Sequence, residues 1–128
     1  GRADAYAPGT PADAPESLAR ARRFSATHGV RVTDRAGLDA LLADITRTTC
    51  LLDVRDPAEF AAGHLAGSRS APGGQLVQAT DAWVAVRHAR IVLVDDTGTR
   101  AHMTAGWLRQ LGGWQVFVLE GGLSGRLE

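Results

Sequence analysis

At 128 residues the chain is long enough for one buried core and short for two. Its fourteen cationic side chains, all arginine, balance fourteen carboxylates, and no run of one sign exceeds a pair, which excludes a nucleic-acid or acidic-lipid footprint. A single cysteine, Cys50, excludes an intrachain disulfide and a Cys/His metal cluster and points to a reducing, cytoplasmic setting, and the absence of an apolar run near eighteen residues excludes a spanning helix.

Residues 1–15 are rich in alanine and proline without periodicity and read as a flexible arm or interdomain linker, leaving 16–128 as the folded domain. Beginning at a glycine behind such an arm, the chain reads as a piece of a longer one. Glu16 to His28 predicts a short basic helix ended by Gly29, and Val30 to Thr33 a short strand. Asp34 is a good N-cap for a helix over Arg35 to Ile45, where Leu38, Leu41, Leu42 and Ile45 share a face. Cys50 to Val54 has the pattern of a strand buried on both faces, broken only by Asp53. Asp56-Pro57 opens a short helix. Leu65 to Ala71 reads as a loop with a short strand, stopped by Pro72-Gly73-Gly74. Gln75 to Val86 predicts a helix, Ile91 to Val94 a buried strand, His102 to Leu111 a helix ended by Gly112-Gly113, and Trp114 to Leu119 the last strand. This alternation argues for an α/β fold, a parallel sheet with helices on both faces.

In such a sheet the site is built by loops at the carboxyl ends of strands, here Arg55 to Glu59, the segment around Ser68 to Pro72, and Asp95 to Arg100. The last of these, Asp95-Asp96-Thr97-Gly98-Thr99-Arg100, joins a strand to a helix. Its backbone N–H groups and the positive helix end suit an anion. Yet it begins with two carboxylates, and like charges a few ångströms apart repel by roughly 4 kcal/mol at an effective dielectric near 20. A strand-end aspartate that caps the following turn would account for Asp95 structurally. Arg100 is either a site arginine or a first-turn residue whose stem packs over Trp107.

The apolar strand before Asp95 resembles the phosphorylated-aspartate motif of haloacid dehalogenases and P-type ATPases. Such an aspartate-based phosphotransfer enzyme needs a lysine and a downstream magnesium-binding acidic cluster; the chain has no lysine and only twenty-eight residues after Arg100. Leu51 to Pro57 similarly resembles the phosphoacceptor strand of response-regulator receivers, without their acidic pair and lysine. A longer resemblance runs ungapped from Leu51 to Ser68, where Asp53, Arg55, Glu59, Gly63, His64 and Gly67 stand at the signature positions of rhodanese domains, D-V-R-x-x-x-E-[FY]-x-x-G-H-I-P-G-A. Ile91 to Arg100 resembles the family's apolar strand and C-x-x-G-x-R loop, and Trp114 to Leu123 its closing strand and E-G-G-L turn.

The resemblance implies a rhodanese-like fold, a twisted parallel sheet of about five strands flanked by helices, and a sulfurtransferase cycle. In that cycle a loop cysteine carries sulfane sulfur, from thiosulfate or a thiol donor to a thiophile, as a persulfide. Such a cysteine depends on a thiolate stabilised by the helix N-terminus. Asp95 stands in that cysteine's place and cannot form a persulfide. The resemblance therefore implies a rhodanese-like domain that has lost its nucleophile, a structural or regulatory module beside sister rhodanese domains of one chain, with no cofactor and no metal. The alternative is an active sulfurtransferase carrying sulfur on Cys50, although a cysteine at the amino end of a buried strand is usually a small packed hydrophobe. Arg55 and Glu59 are expected to pair across their helix turn, His64 to brace the following loop, and His28, His88 and His102 to lack partners.

Overall fold

The computed structural model describes residues 15–80, 83–84, 88–112 and 114–121. The expectations for residues 1–14, Val86, Gly113 and Gly122-Leu123 lie outside the described residues. In chain order the elements are α1 (Pro15–Thr27), β1 (Arg31–Thr33), α2 (Arg35–Ala43), β2 (Thr49–Asp53), α3 (Pro57–Ala62), β3 (Arg69–Ser70), α4 (Gly73–Gln78), β4 (Arg90–Val94), α5 (Thr99–Leu111) and β5 (Gln115–Leu119). The strands form one sheet in the order β1-β5-β4-β2-β3, and every pairing is parallel. The expected five-stranded parallel α/β sheet is present, with β4 at its centre.

β4 explains why the sheet is covered on both sides. All five of its residues are buried, and side chains alternate between faces every second residue. Ile91 and Leu93 join Leu52, Leu76, Ala101, Ala105 and Leu108 in the core beneath α4 and α5. Val92 and Val94 join Leu38, Leu51, Leu65, Phe117 and Leu119 on the other side, under α2. Each such aliphatic side chain contributes roughly 1.5–3 kcal/mol on burial. That stability fixes the carboxyl ends of β2, β3 and β4 at one edge of the core, which is where the site lies.

Three helices, α2, α4 and α5, differ from the sequence reading by more than one residue at a boundary. α2 stops at Ala43, because the Asp44 carboxylate takes the Thr46 N–H at 3.0 Å and Asp44 leaves helical geometry. Ile45 is consequently 92% exposed and Leu42 half-exposed, so Leu38 and Leu41 alone carry the apolar face of α2. Pro72-Gly73-Gly74 follow the end of β3 as expected, and Gly73-Gly74 also open α4, which ends at Gln78. Beyond it the Thr80 hydroxyl donates to Leu76 O at 2.9 Å and the Trp83 indole donates to Ser70 O at 2.9 Å. α5 begins at Thr99, three residues before His102, because the preceding loop turns within Asp95 to Gly98.

Arg90 is a buried cation at the amino end of β4 whose role the sequence did not suggest. Its guanidinium donates to Leu41 O at 3.0 Å, Asp44 O at 2.9 Å and Arg47 O at 3.2 Å, and to the Asp44 carboxylate at 3.0 Å. It thus satisfies carbonyls at the C-terminus of α2, the end of the helix dipole that favours a cation. The Asp44 pKa is held below the usual carboxylate value, first by the Thr46 hydroxyl and also by Arg90.

α1 lies beside α5 with the two helices running the same way: Ser25 meets His102, and further along the Arg109 guanidinium donates to His28 O at 3.0 Å. Phe24 sits on Gly106, where an added Cβ would fall on the aromatic ring. No helix among the described residues is long and apolar enough to cross a membrane. Gly106→Ala is expected to cost about 1–3 kcal/mol in a denaturant titration through overpacking, and Phe24→Ala in the same chain should recover part of that loss; full additivity of the two changes would show that the ring is not what the new methyl meets.

Candidate anion-loop site

The first loop is organised by a buried ion pair. Asp53, at the last position of β2, is fully buried, and Arg55 folds back onto it, with Nε donating to Oδ1 at 3.0 Å and Nη2 to Oδ2 at 2.8 Å. The Arg55 backbone N–H also donates to Asp53 Oδ1 at 3.0 Å, and Nη2 reaches Gly63 O at 2.8 Å. Hydrogen bonding to Asp53 raises the Arg55 pKa above its ordinary value. The expected Arg55–Glu59 pair is therefore replaced: Arg55 serves Asp53 and the end of α3, and Glu59 is free to turn elsewhere. Glu59 Oε1 accepts the Asp56 N–H at 3.0 Å, closing the start of α3. His64 braces the loop after α3, its Nδ1 lying 3.0 Å from Phe60 O and its ring stacked on Phe60 at 3.8 Å. Gly67 supplies a left-handed φ of 86°, a conformation that favours glycine, in a turn closed by Ser68 on Leu65 O.

The Asp95 loop lies across from α3. The Asp95 side chain points inward and Asp95 is 1% exposed. Oδ1 accepts the Asp96 N–H at 2.8 Å; Oδ2 accepts the Arg100 N–H at 2.8 Å and the Ala101 N–H at 3.2 Å. The Arg100 guanidinium lies 3.1 Å from Oδ1. All four groups are donors, so the carboxylate fills the N-terminal end of α5. Gly98 makes the close turn possible with φ 97°. Burial pushes the Asp95 pKa up, aided by the Asp96 carboxylate and opposed by Arg100 and the Ala101 N–H. For Asp96 burial also raises the pKa, but the interaction with the Asp95 carboxyl and the hydrogen bonds from the Thr97 N–H and Arg100 outweigh it and the net direction is down.

Arg100 connects the two loops. Its guanidinium donates to Glu59 Oε1 at 2.8 Å and Oε2 at 3.3 Å, and to Asp96 Oδ1 at 3.1 Å. Arg100 is thus engaged by three carboxylates, Glu59, Asp95 and Asp96, rather than laid as a stem over Trp107. Its hydrogen bond to Glu59 is the main cause of its raised pKa, and the same contact lowers that of Glu59. A cleft of about 250 Å³ opens beside the loop, lined by Asp95 to Gly98, by Val118 to Gly121 at the end of β5, and by Arg22 of α1. Thr97 and Asp96 are exposed at its mouth, whereas Thr99 is buried at the helix start.

Two features of this region were not legible in the sequence. Arg22 forms a two-point pair with Glu120, 3.0 and 3.1 Å, bridging residues far apart in the chain. His102, expected to lack partners, is buried against Ser25, with Nδ1 2.7 Å from Oγ. The signal available was helical spacing, which places His102 on the inner face of α5 with Ala105 and Leu108. Cys50 pairs in register with Ile91, four residues before Asp95, so it lies about 13 Å along the strands from that loop. Burial pushes its thiol pKa up, away from thiolate chemistry. Among the described residues no group of three or more His, Cys, Asp or Glu is placed to hold a metal ion.

Residues 35–127 match the family of the rhodanese-like domain. The chain belongs to the rhodanese-like domain family. Among solved structures, it is 56% identical to the thiosulfate sulfurtransferase from Pseudomonas aeruginosa, with a TM-score of 0.81 over 84% of this chain and 20% of that one. It therefore spans about a fifth of that relative's length. A rhodanese-related protein from Thermoplasma volcanium is 26% identical with a TM-score of 0.59, covering 72% of this chain and 85% of that one. The rhodanese-like domain of an Anabaena protein, 24% identical with a TM-score of 0.63 over 76% of this chain and 77% of that one, shares the fold. No curated protein matches the chain.

In this rhodanese-like domain the Asp53–Arg55 pair is nearly without solvent, at 0% and 7% side-chain exposure. Removing one partner of a buried pair strands the other charge. Asp53→Ala is expected to lower unfolding free energy by about 3–5 kcal/mol in a urea titration; a loss below ~1 kcal/mol, typical of an exposed pair, would show that water enters this loop.

Proposed function

We propose that this is a rhodanese-like domain without sulfurtransferase activity of its own, acting as a structural or regulatory module within a multidomain thiosulfate sulfurtransferase-type protein. The observation that carries the reading is the Asp95 carboxylate, which stands where the family resemblance places the persulfide-forming cysteine and accepts the N–H groups of Asp96, Arg100 and Ala101. A carboxylate cannot be sulfurated to a persulfide, and its charge opposes entry of thiosulfate into the same N–H groups. The sulfur carrier is absent while the frame of the loop, Gly98 and Arg100, is retained.

The multidomain setting is supported by the 56% identity over only 20% of the Pseudomonas aeruginosa relative. In this reading residues 16–128 are the domain, residues 1–15 the linker, and sister rhodanese domains the partners. Cys50 is not the carrier: it is half-buried at the amino end of β2, away from the loops at the carboxyl ends.

A thiosulfate-to-cyanide assay tests the reading. The wild-type domain should form thiocyanate no faster than Cys50→Ala, whereas Asp95→Cys should gain measurable turnover, because the loop that would stabilise a thiolate is already built. Turnover in the wild type that disappears in Cys50→Ala would overturn the proposal.

A further inference from the structure

A second polar cluster lies where α1, α5 and the end of β5 meet. His102 is 2% exposed, its Nδ1 2.7 Å from Ser25 Oγ and its Nε2 3.7 Å from Glu120 Oε2. Nε2 is buried and makes no hydrogen bond. Ser25 Oγ donates to Arg22 O at 3.1 Å, so it accepts from Nδ1–H, and Nε2 is the nitrogen open to a second proton. Glu120, the nearest carboxylate, is already held at two points by Arg22.

Every element around the ring bears on that proton. α1 contributes Arg22, which opposes it; the end of β5 contributes Glu120, which favours it. The loop before α5 lays Gly98 near the imidazole, while Asp95 and Asp96 are engaged by Arg100 and backbone N–H groups. α4, Gly-Gly-Gln-Leu-Val-Gln, has no titratable side chain. Burial dominates and holds the imidazole pKa below its ordinary value of 6.5.

We propose that α1 is an acid-released strap: protonation of His102 lifts α1 from α5 and removes the wall that Arg22 gives the cleft beside Asp95. α1 is the element that yields because it stands outside the rest of the fold in two respects. It precedes the matched family residues 35–127, and none of its side chains belongs to the two core clusters of the sheet. It is held instead by the fully buried Ala21, Leu18 beside Gly98, Phe24 on Gly106, Ser25 on His102 and Arg22 on Glu120. With α1 lifted, the ring gains water and binds its proton as a free histidine does. Docking is therefore fully present above pH 6.5 and weakens as pH falls through the folded pKa, by up to about tenfold per pH unit for one proton. The inference needs no activity at Asp95 and stands whether or not that loop carries chemistry.

Hydrogen exchange of the whole chain, corrected for intrinsic rates between about pH 7.5 and about pH 5, reads the strap directly. Protection of α1 should fall with pH while that of β4 holds, and His102→Asn, which keeps a hydrogen-bonding group for Ser25 without the titration, should show a flat α1 profile. α1 protection that tracks β4 in the wild type, or an equal loss in His102→Asn, would overturn the proposal. Should that variant fail to fold, the imidazole titration in the wild type decides. A His102 midpoint below 6.5 coinciding with loss of α1 protection supports the strap, and titration without that loss refutes it.

Discussion

The Asp95 carboxylate is the contact on which the site depends. A strand that turns directly into a helix leaves backbone N–H groups unpaired at the helix start, and burial makes each of them costly unless an acceptor is supplied. Here the chain supplies its own acceptor, which holds Asp96, Arg100 and Ala101 at once. The loop is thereby closed around a side chain. In the proposed reading the family signature puts a cysteine in that place, where the same donors would stabilise a thiolate. A frame able to stabilise an incoming or nascent anion becomes, with aspartate in it, a frame already satisfied.

From that contact the arrangement spreads outward by arginine. Arg100 ties the Asp95 loop to α3 through Glu59, while Arg55 ties α3 back to β2 through Asp53 and Gly63. At the other end of the sheet Arg90 plugs the C-terminus of α2. Three guanidiniums with several planar donors each thus stitch loops that the aliphatic core does not reach. The all-arginine composition acquires a structural reading here, since a lysine offers a point charge where these positions use a fork.

Much of this was legible in the sequence because it follows from local periodicity. The strands β2, β4 and β5 announced themselves as the apolar runs Cys50 to Val54, Ile91 to Val94 and Trp114 to Leu119, and Asp34 and Asp56 marked their helices by cap chemistry. The loops at the carboxyl ends were placed by the parallel topology. Illegible were contacts set by the third dimension. Arg55 chose Asp53 over Glu59, and Ile45 lost its place in α2 when Asp44 turned the chain. The end of α4 at Gln78 was likewise hidden: Leu76 and Ala79 keep a helical spacing, but Ala79 leaves helical geometry. Nothing in the spacing of Arg22, Ser25, His102 and Glu120 links them, since only the packing of α1 on α5 brings them together.

The central claim is that the N–H groups at the start of α5 are occupied by Asp95 and are closed to an outside anion. Amide chemical shifts of Arg100 and Ala101 during a titration with thiosulfate measure this without reference to turnover. The account predicts that both resonances stay in place at concentrations of thiosulfate far above those of the protein. Saturable movement of either amide would show that thiosulfate reaches those donors, and would contradict it.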